Sequence, residues 1–214
     1  TKLTIKTKTA VYNACIVSIL LYGSETWTLY SKQEKKLNNF HMRCLRRILG
    51  ISWRDKVPNT KVLHRAGLPT MYTLLRKRRL RWLGHVHRME DGRIPKDILY
   101  GELASGKRAV GRPQLRYKDV CKRDMRALAI DTECWEEAAD NRTGWRGILH
   151  SQLRKSEEKF LGLADEKGAR RKARNNMNYL ETIHKCDRCG RDCHSRIGLT
   201  SHSRSCSSRS LSNS

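Results

Sequence analysis

One spacing constrains this chain more than any other: Cys186-x2-Cys189-x12-His202-x3-Cys206. Two cysteines separated by two residues fit a tight turn that aims both thiolates at one centre. A histidine and a cysteine four positions apart project from one side of a helix and close the tetrahedron. The interval of twelve between the pairs is that of a ββα zinc finger. Leu199 precedes His202 by three residues, where such a finger packs its core leucine, and Cys193 takes the usual aromatic position. A module of roughly twenty residues buries too little apolar surface to fold unaided. Zinc must therefore supply the folding free energy, on the order of 10 kcal/mol. A zinc knuckle, Cys-x2-Cys-x4-His-x4-Cys, competes through Cys186, Cys189 and His194, but its last ligand falls on Leu199, which cannot bind metal. Beside the expected ligand set of Cys186, Cys189, His202 and Cys206 stand two alternatives: a site borrowing Cys193 or His194, and a module without metal.

The other cysteines, Cys15, Cys44, Cys121 and Cys134, are scattered, and core packing is their expected role. No secretory leader is visible. The most apolar run, Ala14 to Tyr22, falls well short of the roughly twenty residues of a membrane span. The protein is therefore expected in the nucleus or cytoplasm and not secreted, where clustered thiols mean metal rather than disulfides.

Charge narrows the partners. Forty-five Lys and Arg against 21 Asp and Glu leave a net charge of +24, an excess that points to a polyanion, with nucleic acid the default. Hydrophobic content of 38% with five Trp still supports a core. Few β-branched runs and only two Phe favour helices over sheets. The expected fold is mainly α: a helical bundle-like domain, a charged helical tether, and a small zinc-bound ββα-type finger. Boundaries are placed at 1–52, 53–153, 154–182 and 183–207, followed by a disordered tail over 208–214.

Apolar spacing predicts a buried helix from about Lys6 to Tyr22, stopped by Gly23. Ser31-Lys-Gln-Glu34 reads as a capping box, opening a helix with Leu37, Phe40, His41, Cys44, Leu45 and Ile48 on one face and ending at Gly50. A short helix is expected over Thr60–Ala66, ending at Gly67. A longer one opens at a Thr70 cap and carries Met71, Leu74, Leu75, Leu80, Trp82, Leu83, Val86 and Met89. Further helices are marked by Tyr117 to Leu128, by Trp135 to Ala139, and from Trp145 onward, thinning into charge beyond Arg154.

Within the Thr70-capped helix, Arg76, Lys77, Arg78, Arg79 and Arg81 place five cations in six positions. They repel one another unless an anion lies nearby, so they are expected to contact phosphates; a solvated basic face is the alternative. Gly106-Lys-Arg-Ala-Val-Gly-Arg-Pro113 adds Lys107, Arg108 and Arg112 as backbone contacts, or inserts arginine into a minor groove, although Val110 stands where an Arg-Gly-Arg-Pro core has arginine, or else is a plain flexible loop. In the finger, the usual base-reading positions hold Ser195, Gly198 and Ser201, none of which reads a base edge bidentately. Arg196 and Arg204 are left to reach phosphates, so low sequence discrimination is expected. His85 and His87, two apart on the basic helix, face different sides and are read as packing or phosphate-contacting groups.

Catalysis lacks a constellation: there is no adjacent Asp-Asp pair, no phosphate-cradling Gly-x4-Gly-Lys-Ser/Thr and no nucleophile elbow. The stretches AVYNACIVSILLYGSETWTL, LNNFHMRCLRRILGISWRDKV, RRLRWLGHVHRMEDGRIPKDILYGEL and GKRAVGRPQLRYKDVCKRDM resemble the C-terminal part of non-LTR retrotransposon polyproteins, the endonuclease–reverse transcriptases of long interspersed elements. The terminal SRIGLTSH between its cysteines is similar to the finger that ends many of them. The resemblance covers nearly the whole chain. It implies that residues 1–52 correspond to the polymerase thumb and the rest to the region beyond it, with the palm and endonuclease upstream on a longer chain. The first residue is Thr, and the chain opens mid-pattern, as a piece of something longer would. The expected function is a non-catalytic RNA- or DNA-gripping fragment. The alternatives are an independent element-derived regulatory protein and an RNA-packaging protein.

Overall fold

A computed structural model describes residues 3–101, 116–181, 184–193 and 195–209. Residues 1–161 form one compact unit and 162–214 a second. The expected boundaries at 52/53 and 153/154 do not coincide with this division, because one helix feeds two apolar clusters of the first unit.

In the first unit, α1 (Ile5–Val11) is capped by Thr4, whose hydroxyl accepts from the Thr7 N–H. It passes through a π-helical turn (Tyr12–Val17) into α2 (Ser18–Leu20), and Gly23 then turns the chain at φ 66°. This segment was expected to be buried, and much of it is not. Tyr12, Val17 and Leu21 enter the core, whereas Val11, Ile16, Ile19 and Tyr22 are exposed. A helix apolar on most sides needs neighbours on most sides, and here the helices Ser31–Leu49 and Asn59–Ala66 cover only one.

α3 (Ser31–Leu49) ends at Gly50 in the left-handed region, as its sequence signals. Its start differs from expectation. Tyr30 is the N-cap, and Gln33 rather than Glu34 reaches back, accepting from the Tyr30 N–H at 2.8 Å. Glu34 is thereby free to turn inward. α4 (Asn59–Ala66) closes at Gly67, again left-handed. His41 is fully buried and neutral in its bonding pattern: Tyr12 Oη donates to Nδ1 at 2.9 Å, and Nε2 donates to the Pro69 carbonyl at 3.2 Å.

α5 (Met71–His87) is the axis of the unit. Met71 and Leu75 pack with Leu45, Val62 and Leu63 in one apolar cluster. Leu80, Leu83 and Val86 pack in the other, with Met125 of α7 (Tyr117–Ala127), Trp135 of α8 (Trp135–Asp140), and Trp145 and Leu149 of α9 (Arg142–Glu181). Leu99, from α6 (Ile94–Tyr100), completes it. Cys121 lies in this core, but Cys15 and Cys134 are exposed, so packing accounts for only part of the scattered cysteines.

Two contacts fix α9 on α5. Trp145 Nε1 donates to the Leu80 carbonyl at 2.9 Å, over Gly84, where a Cβ would lie 2.5 Å from that nitrogen. At the other end, Glu157 caps α5: its carboxylate accepts from the Thr70 N–H at 2.8 Å, from the Thr70 hydroxyl at 2.9 Å and from the Thr73 hydroxyl. A carboxylate there satisfies orphan donors and complements the helix dipole.

The second unit holds the C-terminal part of α9, then β1 (His184–Lys185) paired antiparallel with β2 (Asp192–Cys193), then α10 (Arg196–Arg209). This ββα order is the one the spacing predicts. α10 runs past the expected finger end at 207, and residues 210–214 lie outside the described residues. No described helix is long and apolar enough to cross a membrane.

Candidate metal centre and nucleic-acid interface

The β1–β2 turn prepares two ligands. Gly190 adopts φ 69°, its N–H donates to the Cys186 carbonyl at 2.8 Å, and the Cys186 N–H donates to the Arg191 carbonyl at 3.0 Å. α10 is capped by Ser195, whose hydroxyl accepts from the Gly198 N–H at 3.0 Å, and presents His202 and Cys206 one turn apart. Ser195 is therefore occupied as a cap.

The ligand atoms of Cys186, Cys189, His202 and Cys206 lie within 4.8 Å of one another, with Cys189 Sγ 3.0 Å from His202 Nε2. Zinc bonds of roughly 2.3 Å to sulfur and 2.0 Å to nitrogen give tetrahedral edges of roughly 3.5–3.8 Å, so this set fits Zn2+. The thiols are strained against one another as anions. Backbone N–H groups of Arg188 and Cys189 hold the Cys186 thiol below its usual range, and Cys206, beside Cys189, is pushed up to about 11. A divalent cation removes that conflict. Cys193 stays outside the set and is buried, with half-buried Leu199 nearby in sequence order on α10. His194 lies outside the described residues.

The basic run on α5 separates into two groups. Arg79 is 1% exposed: its Nε donates to Asp124 at 2.7 Å and its Nη2 to Glu34 at 3.1 Å. Burial alone would depress the guanidinium's pKa, but the two carboxylates outweigh it and the net shift is upward. The expected phosphate contact by Arg79 is thus corrected, since an interior cation already paired twice cannot meet a phosphate. Arg76 also faces Asp124, at 3.5 Å, and Arg78 donates to the Leu21 carbonyl at 3.0 Å. Both are half-buried. Lys77 and Arg81 alone of the five are exposed, and neither has an ion-pair partner among the described residues.

These two face a groove that the sequence did not reveal. Arg142 and Arg146 on the first turns of α9 share it with Lys77, Arg81 and Arg88, around a cavity of about 660 Å3. Arg88 donates to the Ala139 carbonyl, and its pKa is lowered by partial burial and then by Arg142 and Arg146. The groove therefore holds a net positive potential that its acidic residue, Glu25, does not cancel. Lys77, Arg81 and Arg146 also line a second, adjoining cavity of about 470 Å3. The i, i+4 spacing of Lys77/Arg81 and Arg142/Arg146 could have flagged these faces; their facing one another could not be read from spacing.

Of the other expected contacts, Arg196 and Arg204 are exposed on α10. Lys107, Arg108 and Arg112 lie outside the described residues. His85 is exposed in the groove. His87 instead bonds Tyr100 at 2.7 Å and Asp140 at 2.9 Å, tying α5 to α6 and α8.

Compared with known proteins, the chain is 27% identical over 153 residues to a transposon-derived protein of Caenorhabditis elegans. The match covers 67% of this chain and 54% of that protein, so the chain spans about half the length of the relative it matches. The similarity is distant homology and associates the chain with transposable elements. No family model matches, and no solved structure matches.

Proposed function

We propose that the chain is the nucleic-acid-gripping C-terminal part of a non-LTR retrotransposon reverse transcriptase, holding RNA or DNA with little sequence discrimination and performing no catalysis itself. Upstream polymerase domains on a longer chain are its covalent partners in this reading. The observation that carries it is the α5–α9 groove, where six cations converge and four of them, Lys77, Arg81, Arg142 and Arg146, are exposed without an ion-pair partner among the described residues. A structural cation is normally paired; an unpaired cluster of one sign is stabilised by binding a polyanion. The transposon-derived relative and the zinc-fitting finger support the same reading.

The test is binding of the zinc-loaded chain to labelled RNA and DNA over a salt series. The expected result is tight binding to unrelated sequences, with log affinity falling linearly in log salt by about 0.7–0.9 per contacted phosphate. Magnesium-dependent primer extension should be absent. Salt-independent binding, or none, would sink the proposal, as would polymerase activity that copurifies with the chain.

A further inference from the structure

We infer that the α5–α9 groove is a site for single-stranded nucleic acid, with the Trp82 indole as the platform on which an unpaired base stacks. This deepens the proposed function and rests on it. Trp82 lines the same cavity as Lys77, Arg81, Arg88, Arg142 and Arg146, and its ring sits 5.2 Å from that of exposed His85, tilted at 54°. Trp82 is half-buried, packed on one side against the core that holds Leu83 and Val86. It is thus a rigid aromatic surface at the wall of a cationic cleft.

That pairing selects a ligand. A duplex offers phosphates but keeps the faces of its bases stacked inside, so an aromatic wall in a recess gains nothing from it. A single strand offers both a charged backbone and free π-faces, and proteins that hold single strands combine a basic groove with aromatic platforms. Arg88, and the neighbouring Arg142 and Arg146, add the planar cations that stack on bases as well as pair with phosphates.

The cations also give the strand a path. The α5 face from Leu74 to Arg88 covers roughly 21 Å of helix axis, a length suited to a footprint of about four nucleotides. Lys77, Arg81 and Arg146 carry positive charge into the adjoining cavity, whose far side is closed by Glu157 and Glu158. Glu157 is already committed to capping α5. Arg154 lines that end too but pairs with Glu158 at 3.8 Å, so the unpaired cations are Lys77, Arg81 and Arg146, and the backbone lies along them and leaves past Arg88 and Arg142.

The experiment measures anisotropy of the full zinc-loaded chain with labelled oligo-dT, and with the same strand annealed to oligo-dA. The unmodified protein should prefer the single strand. Trp82→Ala should weaken single-strand binding by about 5- to 100-fold and leave duplex binding nearly unchanged. Trp82→Phe, which keeps the packing and a smaller π-face, should restore most of the affinity and shows that any loss is not misfolding. Replacing Lys77, Arg81 and Arg146 with Gln should weaken both substrates and flatten the single-strand salt slope by about two units. Equal affinity for both substrates, or single-strand binding indifferent to both Trp82 variants, overturns the inference while leaving the proposed function standing. Binding to neither substrate defeats the proposed function itself.

Discussion

The helical unit and the metal module spend their polar residues in opposite ways. In the module, four ligands converge because their spacing along the chain dictates it, and little apolar packing is present to do the work instead. In the helical unit, two apolar clusters carry the fold, and charge is sorted by tertiary position: Arg79 goes inside, two residues from exposed Arg81. Local spacing thus governs a metal site, whereas the fate of a cation depends on which carboxylates the fold brings near. Asp124 and Glu34 lie 45 residues from Arg79 on either side.

Chelation should separate the two units most sharply. Removing zinc should abolish the ordered structure of α10 and the β1–β2 hairpin, since metal binding is the module's folding free energy, on the order of 10 kcal/mol. The helical unit should keep its cooperative melting transition. Circular dichroism and amide exchange with and without chelator check this; loss of both units together would show that the module is not a separate metal-dependent body.

Next in size is Arg79→Met. Asp124 is 1% exposed, and removing Arg79 takes away its closest partner and leaves the buried carboxylate only Arg76, at 3.5 Å, for a cost of about 3 kcal/mol. For a unit of this size that lowers the melting temperature by roughly 10 °C. Arg79→Met combined with Asp124→Leu and Glu34→Leu should recover much of the loss, because an apolar replacement removes the desolvated charges together.

A smaller loss is expected from Gly84→Ala. The new methyl meets Trp145 Nε1 at 2.5 Å, so α9 must shift off α5 or Trp145 must give up its bond to Leu80, costing about 1–3 kcal/mol by thermal melting. Smaller still is the effect of pH at His41. Desolvation lowers its pKa in the fold, partly opposed by Pro69 and Glu157, so the unfolded chain takes up the proton first. The stability it contributes is whole above the ordinary value of 6.5 and is lost as pH falls below it, by at most about 1.4 kcal/mol per pH unit. Melting the unmodified and His41→Gln chains at matched pH values isolates this slope, which the variant should lack.

How much of this was legible in the sequence follows from the same contrast. Helix ends at Gly23, Gly50 and Gly67 were legible, because each needs the left-handed backbone that glycine supplies most cheaply, and all three adopt it. The ββα order and the four-ligand geometry were legible because turn and helix periods fix them. Glu34 was misread as a cap since its sequence position suits one; only the fold shows Arg79 and Arg123 waiting for it. The exposure of Ile16 and Ile19 escaped periodicity, which reports an apolar face but not whether a neighbour covers it. Arg142 and Arg146 share the i, i+4 spacing of Lys77 and Arg81, but only the approach of α9 to α5 around Gly84 and Trp145 brings the two pairs into one groove.

In the proposed function α5 divides its cations between holding the fold and holding a ligand, and a paired measurement on Arg79→Met and Arg81→Gln separates the two. Each is melted, then titrated with single-stranded oligonucleotide over a salt series at a temperature where both remain folded. Arg81→Gln is expected to keep its stability within about 0.5 kcal/mol and lose about 0.7 of the salt slope, while Arg79→Met loses stability and keeps the slope. A flattened slope in Arg79→Met together with an unchanged slope in Arg81→Gln would contradict it.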